Sequence, residues 1–231
     1  MNILQHYYQG KYPKLVMFDL DGTLVDSAPD IAIAVNKTLT ELGLPVVSED
    51  KVRLWVGNGA EMLIRRALTD GDDNRPLDQS LWTKAYKLSL GYYPYHHDIK
   101  YLYHGVKTFL EAMQKQSVKM AIVTNKPVQF VEPLLKELGI GHYFDWFIGG
   151  DSLPQKKPAP EPLLYVLDQA GAKREEALFV GDSRSDVRAA KAANVPCAAL
   201  TYGYNHGEPI ANENPTWVID DLNDLLKIFA K

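Results

Sequence analysis

The fold is predicted from one stretch of sequence, Phe18-Asp19-Leu20-Asp21-Gly22-Thr23, and from the apolar residues before it. The run from Leu15 to Phe18 is rich in branched and aromatic residues, which predicts a buried strand. Gly22 then ends the strand and supplies the backbone freedom for a tight turn. Asp19 and Asp21 are therefore expected at the carboxyl end of a strand, where open α/β sheets bind their ligands.

The spacing of these two aspartates indicates a site with a cation. Residues two apart point to the same face of an extended strand, so Asp19 and Asp21 face one small site unless the turn swings the second away. Two carboxylates at that separation raise each other's pKa unless a cation neutralises them, and a hard divalent metal ion would do so. An Asp-Gly turn is also common at the end of a strand without any function, and the pair alone leaves that alternative open.

Length and composition are typical of a soluble globular protein. The 231 residues are 46% hydrophobic and 23% charged, which predicts a sizeable core in one large domain or two modest ones. The net charge of -4 gives no electrostatic footprint for nucleic acid or an anionic membrane, so neither partner is expected. The single cysteine, Cys197, lies in an apolar run and is expected to be a buried structural thiol.

The N-terminal residues 1–14 are interpreted as a loose polar leader of unassigned role. They are rich in tyrosine and lack the apolar centre of a signal peptide. No apolar run approaches the length needed to span a membrane. A cytoplasmic location fits these observations.

The order of the predicted elements indicates an α/β protein with a helical insertion. Helical spacing begins near Ser27 and continues to about residue 100, with an aromatic, histidine-rich connector at 91–103. Beyond residue 104, helices alternate with predicted strands at 119–123, 146–148, 177–180, 195–200 and 216–219. Such alternation predicts a doubly wound, Rossmann-like, mostly parallel sheet. We expect a catalytic core of residues 1–29 and 101–231, and a small all-helical domain of residues 30–100.

Polar residues of complementary type follow several of the predicted strands. The carboxyl ends of strands in one α/β sheet converge on a single crevice, so these residues are expected to meet there. Taken singly, each has an ordinary alternative as a helix cap, a solvated lysine or a member of a surface ion pair. The residues are Asp19, Asp21, Thr124, Asn125, Lys157, Asp182 and Asp186.

Together these residues resemble the four motifs of the haloacid dehalogenase-like superfamily, in order and with plausible spacing. The helical insertion resembles that superfamily's four-helix cap of the first type. Finer details resemble the bacterial phosphoglycolate phosphatases within it, over nearly the whole chain after the leader; the connector Tyr92 to Tyr103 departs from that pattern. The stretches concerned are Asp19-Leu20-Asp21-Gly22-Thr23, Asp26-Ser27-Ala28-Pro29-Asp30, Trp55-Val56-Gly57-Asn58-Gly59-Ala60, Arg66-Ala67-Leu68, Thr124-Asn125-Lys126-Pro127, Lys157-Pro158-Ala159-Pro160, Gly181-Asp182-Ser183-x-x-Asp186 and Thr201-Tyr202-Gly203-Tyr204-Asn205.

The resemblance implies a magnesium-dependent phosphatase that hydrolyses 2-phosphoglycolate through an aspartyl-phosphate. It assigns the nucleophile to Asp19 and the general acid and base to Asp21. Mg²⁺ would be held by Asp19, the backbone carbonyl of Asp21 and Asp182, with Asp186 close by or bridged by water.

The resemblance also implies how the phosphate ester is bound. Thr124 and the Asn125 amide would bind phosphoryl oxygens, and Lys157 would add a fixed positive charge beside them. In the cap, Gly57 and Asn58 would offer backbone amides to a small anion, and Arg66 would bind a carboxylate. Alternatively, Gly57 ends one helix, Asn58-Gly59 starts the next, and both Arg65 and Arg66 are solvated.

Other functions remain open at this point. Within the superfamily, the rivals are another small phosphate-ester phosphatase, a pyrophosphatase and a hexose-phosphate phosphomutase. A 2-haloacid dehalogenase needs neither a second aspartate nor a metal, so Asp21 and Asp182 argue against it. A non-catalytic binding module would be expected to carry a broken motif, and none is broken here. The expected partner is a small phosphorylated metabolite, and the chain is expected to be a monomer or a homodimer.

Overall fold

The computed structural model describes residue 8, residues 11–93 and residues 101–229. Most of the predicted leader at 1–14 and much of the connector at 91–103 therefore lie outside the described residues. The described strands are β1 (Leu15–Phe18), β2 (Val25–Asp26), β3 (Tyr101–Leu102), β4 (Lys119–Val123), β5 (Trp146–Ile148), β6 (Ala177–Gly181), β7 (Cys197–Leu200) and β8 (Trp217–Ile219).

The main sheet is parallel, with the strand order β5-β4-β1-β6-β7-β8. The predicted doubly wound α/β fold is confirmed. Strand β1 lies inside the sheet, where all four of its residues are buried, and Phe18 pairs with Ile122 of β4 and Val180 of β6. This register brings the ends of the three strands level, so the loops that follow them meet above the same edge of the sheet.

Helices cover both faces of the sheet, as a buried parallel sheet requires. Helices α5 (Val106–Lys115), α6 (Val131–Glu137) and α9 (Leu222–Phe229) pack on one face, in a hydrophobic cluster that includes Phe18. Helices α7 (Glu161–Ala170) and α8 (Arg184–Ala193) pack on the other. The second cluster includes Cys197, which is buried as predicted.

Between β2 and β3 the chain forms the helices α1 (Ala28–Glu41), α2 (Glu49–Trp55), α3 (Ala60–Thr69) and α4 (Gln79–Tyr92). We refer to these helices as the cap. Their apolar faces form a third hydrophobic cluster, to which Val35, Val52 and Ile64 contribute and which Tyr204 of the core joins. The short strands β2 and β3 pair in antiparallel fashion where the chain enters and leaves the cap. The division at residues 29/30 and 100/101 remains a proposal.

Among the described residues, none of the helices is both long and apolar enough to span a membrane.

Candidate active site

The turn after β1 brings Asp19 close to Asp182, which follows β6. The backbone N–H of Asp19 donates to Val180 O of the neighbouring strand at 2.9 Å, and the Asp19 side chain is nearly buried. Gly22 has a φ of +87°, and a Cβ atom at this position would lie 2.3 Å from Asp182 Oδ2. Only glycine therefore allows the turn to approach Asp182 so closely.

Three buried carboxylates form an acidic group at this edge of the sheet. Asp19, Asp182 and Asp186 each offer an oxygen, and these oxygens all lie within 4.8 Å of one another. Burial, followed by the charges of Asp186 and Asp19, holds the pKa of Asp182 well above its usual range. Burial also raises the pKa of Asp19 to about 7, although the Lys157 ammonium opposes the rise. Three carboxylates this close together offer oxygen ligands and negative charge, which suit a hard divalent metal ion.

Asp182 is held in place by donors from two loops. Thr23 Oγ1 donates to Asp182 Oδ1 at 2.5 Å, and the backbone N–H of Tyr204 donates to Oδ2 at 2.6 Å. A Cβ atom at Gly203 would lie 2.2 Å from Asp182 Oδ2. The roles of Thr23 and Tyr204 were not predicted. Both residues occur in the quoted motifs, but nothing in the sequence indicates that they bond Asp182.

Asp186 contacts protein groups through both of its carboxylate oxygens. Oδ1 accepts from Lys157 Nζ at 2.6 Å. Oδ2 accepts from the backbone N–H groups of Asp182 and Ser183, at 3.2 and 2.9 Å, and from Ser183 Oγ at 2.7 Å. These bonds give Asp186 the task of positioning Lys157 and the turn into α8. Its expected place close to a metal ion stays a prediction, and both of its carboxylate oxygens accept hydrogen bonds within the protein.

Lys157 lies beside the predicted nucleophile. Its ammonium is 2.9 Å from Asp19 Oδ1 and 2.6 Å from Asp186 Oδ1, and its side chain is only 1% exposed. Burial alone would lower the pKa of Lys157, but attraction to Asp186 and Asp19 raises it. The lysine is thus a fixed positive charge at the acidic group.

Asp21 points away from that group and pairs with a different lysine. Lys126 Nζ lies 2.9 Å from Asp21 Oδ1 and 3.2 Å from Oδ2. The hydroxyl of Tyr93, at the end of α4, contacts the same ammonium, which lies 4.3 Å from the centre of the Tyr93 ring. Burial would lower the pKa of Lys126, but Asp21 and Tyr93 raise it, so the buried side chain stays charged. Sequence reasoning assigned no role to Lys126 or Tyr93.

Thr124 and Asn125 follow β4, which flanks β1 on the side away from β6 and Asp182. Thr124 Oγ1 accepts from the Lys126 backbone N–H at 3.2 Å, which leaves its hydroxyl proton to be donated to a ligand. The Asn125 amide was expected at phosphoryl oxygens, and that role stays a prediction. The Asn125 side chain is bonded within the protein. Its Nδ2 donates to the backbone carbonyls of Gly57 and Lys157 at 3.1 and 2.9 Å, so it ties the cap to the core.

A cleft of about 60 Å³ lies between these motifs and the cap. Its floor carries Asp19, Asp21 and Thr124, and Gly57 lies at its cap side. Apolar cap residues form much of the rest, with Phe130 from the core. The other residues that line it are Ile31, Ala34, Val35, Val56, Gly59, Ala60, Leu63, Ser89, Leu90, Tyr93, Asn125, Lys126 and Pro127.

Arg66 and Asn58 lie in a second cleft, beyond the C-terminal end of α2, and not in the cleft of Asp19. Arg66 Nη1 donates to Trp55 O at 2.9 Å and to Asn58 Oδ1 at 2.8 Å. Its Nε and Nη2 donate to the Asp73 carboxylate, both at 3.1 Å. The structure does not place Arg66 in the cleft of Asp19, where the expected contact with a substrate carboxylate would require it, and its guanidinium is bonded within the cap. Asn58 instead donates to Ser185 Oγ of the core at 3.2 Å.

A second link between cap and core lies at the cap entrance. Arg53 of α2 donates to both carboxylate oxygens of Asp26 in β2, at 2.8 and 2.9 Å. The hydroxyl of Tyr204 donates to Asp26 as well, and the Tyr204 backbone N–H holds Asp182. Despite burial, hydrogen bonds from Arg53 and Tyr204 hold the pKa of Asp26 below its usual range. This link was not predicted, because it joins residues far apart in sequence.

Comparison with known proteins identifies relatives over almost the whole chain. A family profile described as haloacid dehalogenase-like hydrolase matches residues 16–200. A phosphoglycolate phosphatase of Pseudomonas syringae pv. syringae is 52% identical over 226 residues, which is 98% of this chain and 83% of the relative. A phosphoglycolate phosphatase of Pseudomonas putida is 53% identical over the same share of each chain.

A solved structure gives the same result. The crystal structure of a predicted phosphoglycolate phosphatase from Haemophilus somnus superposes with a TM-score of 0.88 at 42% identity. The match covers 93% of this chain and 97% of the other. The resemblance drawn from the motifs is confirmed.

Proposed function

The chain belongs to the haloacid dehalogenase-like hydrolases, and from this membership we propose that it hydrolyses 2-phosphoglycolate to glycolate and phosphate. The observation that carries the chemistry is the different surroundings of two aspartates at one cleft. Asp19 lies in the acidic group beside Lys157, and Asp21 lies apart, paired with Lys126. Two carboxylates in different surroundings can take different roles in one reaction.

Asp19 acts as the nucleophile. Its carboxylate oxygen forms a bond to phosphorus while the bond from phosphorus to the glycolate oxygen breaks. Asp21, in its acid form, gives its proton to the departing alkoxide. Asp21 then takes a proton from a water molecule, which attacks the phosphorus of the aspartyl-phosphate, releases phosphate and restores Asp19. Thr124 donates its hydroxyl proton to a phosphoryl oxygen, and Lys157 offsets the negative charge that develops beside it.

We assign the metal ion of this site to Mg²⁺. Asp19, Asp182 and the backbone carbonyl of Asp21 would hold it, with Asp186 positioned behind them. All of these donors are oxygens, the class that Mg²⁺ prefers, and the raised pKa of Asp182 reflects an acidic group in need of a cation. When bound, the ion neutralises charge on the nucleophile and on the phosphoryl oxygens.

Similar proteins support a small substrate. The relatives quoted above carry the name phosphoglycolate phosphatase, which agrees with a two-carbon leaving group. As a cytoplasmic enzyme acting on a small phosphorylated metabolite, the protein needs neither a nucleic acid nor a membrane partner.

The test is a substrate panel assayed with purified protein. Initial rates are measured for 2-phosphoglycolate, glucose 6-phosphate and pyrophosphate, each with Mg²⁺ and with a strong chelator. We expect the highest kcat/KM for 2-phosphoglycolate and loss of activity in the chelator. A preference for the sugar phosphate or for pyrophosphate would overturn the substrate assignment, and full activity in the chelator would overturn the metal assignment.

A further inference from the structure

We propose that Lys126 recognises the carboxylate of the substrate's leaving group, an inference that rests on the proposed function and names its specificity residue. Lys126 follows β4 and reaches the cleft that contains Asp19 and Asp21. Among the described residues that line this cleft, Lys126 alone carries a positive charge. Its side chain is 4% exposed, and a buried cation of this kind needs an anionic partner.

Lys126 lies beside the residue that the proposed reaction places next to the leaving oxygen. Its ammonium is 2.9 Å from Asp21 Oδ1, and Asp21 is the proposed proton donor to that oxygen. A leaving group that carries a carboxylate therefore brings its negative charge close to the Lys126 ammonium.

The distances make this contact feasible. The oxygen that leaves phosphorus must lie within hydrogen-bond reach of Asp21, about 2.8 Å. In the glycolate leaving group the carboxylate is separated from that oxygen by one methylene carbon. Because Lys126 Nζ is already 2.9 and 3.2 Å from the two Asp21 oxygens, the carboxylate falls within its reach. An ammonium has three protons, so it can contact Asp21, Tyr93 and the substrate together.

Two neighbours support this assignment. Tyr93 contacts the ammonium through its hydroxyl and its ring, which fixes the position of the charge at the edge of the cleft. Arg66, the other cation considered for this task, lies in a different cleft and is bonded to Trp55, Asn58 and Asp73. The alternative is that Lys126 serves only to orient Asp21, in which case its loss would affect every substrate equally.

A pair of substrates separates these two roles. We compare kcat/KM for 2-phosphoglycolate and for its neutral amide, which has nearly the same shape, in the wild type and in Lys126→Gln. Loss of a charged hydrogen bond predicts that the preference for the carboxylate falls about 10- to 100-fold. Lys126→Arg should recover much of that preference. Lys136→Gln, which changes an exposed lysine of α6, should leave it as in the wild type.

The outcomes distinguish this inference from the proposed function. If the wild type prefers 2-phosphoglycolate and Lys126→Gln loses activity equally on both esters, the recognition role is wrong while the function stands. If the wild type has no preference for the carboxylate over the amide, the inference is wrong, whereas the proposed function is decided by the substrate panel. Thermal unfolding checks that the variant is folded. Should Lys126→Gln fail to fold, Tyr93→Phe carries the test: we expect a fall of about 2- to 5-fold in the same preference, and an unchanged preference would overturn the inference.

Discussion

The close carboxylates of Asp19, Asp182 and Asp186 lead us to predict an effect on stability that does not depend on turnover. In metal-free protein, Asp19→Asn should be more stable than the wild type at pH 8, although it is inactive. Burial raises the pKa of Asp19 from its ordinary 3.8 to about 7, so the folded protein binds this proton more tightly than the unfolded chain does. The contribution of Asp19 to the stability of the folded state is therefore greatest at low pH and falls as the pH rises from about 4 to about 7.

The magnitude follows from the size of that shift. At 1.36 kcal/mol for each pKa unit, ionised Asp19 costs the folded protein about 4 kcal/mol at pH 8. Asparagine keeps the shape without the charge, and Lys157 retains Asp186 at 2.6 Å as its partner. We expect a gain of about 2 to 4 kcal/mol in the free energy of unfolding at pH 8. At pH 4.5, close to the ordinary pKa, the gain should shrink to about 1 kcal/mol or less.

Urea unfolding in a strong chelator, followed by tryptophan fluorescence, measures this difference. With a slope of about 2 kcal/mol per molar urea, the midpoint should rise by about 1 to 2 M at pH 8. Asp168→Asn, which removes an exposed carboxylate of α7, is the control and should show no such rise. An Asp19→Asn protein that is no more stable than the wild type at pH 8, or equally stabilised at both pH values, would refute the reasoning.

Three further predictions concern other parts of the structure. Arg53→Gln removes the two-point contact with Asp26 at the cap entrance and should lower kcat/KM about 5- to 10-fold, because this partly buried pair contributes about 1 kcal/mol. Gly203→Ala places a Cβ atom 2.2 Å from Asp182 Oδ2, so the Mg²⁺ concentration for half-maximal activity should rise at least about 10-fold. Cys197 is buried, and burial raises the pKa of its thiol, so it should react with a thiol reagent only after unfolding in urea.

Each of these has a control or a contradicting result. Arg188→Gln removes an ion pair with Glu213 on the surface of the core and should leave kcat/KM unchanged, in contrast to Arg53→Gln. Gly91→Ala meets no atom within 4 Å and should keep the wild-type Mg²⁺ requirement. A normal Mg²⁺ requirement in Gly203→Ala would show that Asp182 is not a ligand. Rapid labelling of Cys197 in native protein would contradict its burial.

The main sheet was predictable because its strands are local apolar runs between turn residues. β1 at Leu15–Phe18, β4 at Lys119–Val123 and β5 at Trp146–Ile148 have the bounds that the sequence pattern predicts. The pair of β2 and β3 was missed, because each strand is two residues long and its partner lies more than 70 residues away. No local pattern reports such a pairing.

Sequence-based prediction has a similar limit at the candidate active site. The motifs identified the residue types, but they did not give the direction in which each side chain points. Arg66 has the charge that a carboxylate requires, yet its helical position turns it toward Asp73 and the end of α2. Lys126 follows directly after Thr124 and Asn125, and only the fold shows that it reaches Asp21. The Tyr204 backbone N–H that holds Asp182 has no side-chain signature at all.

The central claim is that Asp19 becomes phosphorylated during turnover. The most direct measurement mixes enzyme, Mg²⁺ and 2-phosphoglycolate, quenches in acid within one turnover, and reduces the acyl phosphate with borodeuteride before peptide mass spectrometry. The account predicts deuterated homoserine at position 19, and none in protein that was not given substrate. Reduction at another carboxylate, or none in a quench that contains released glycolate, would contradict the account.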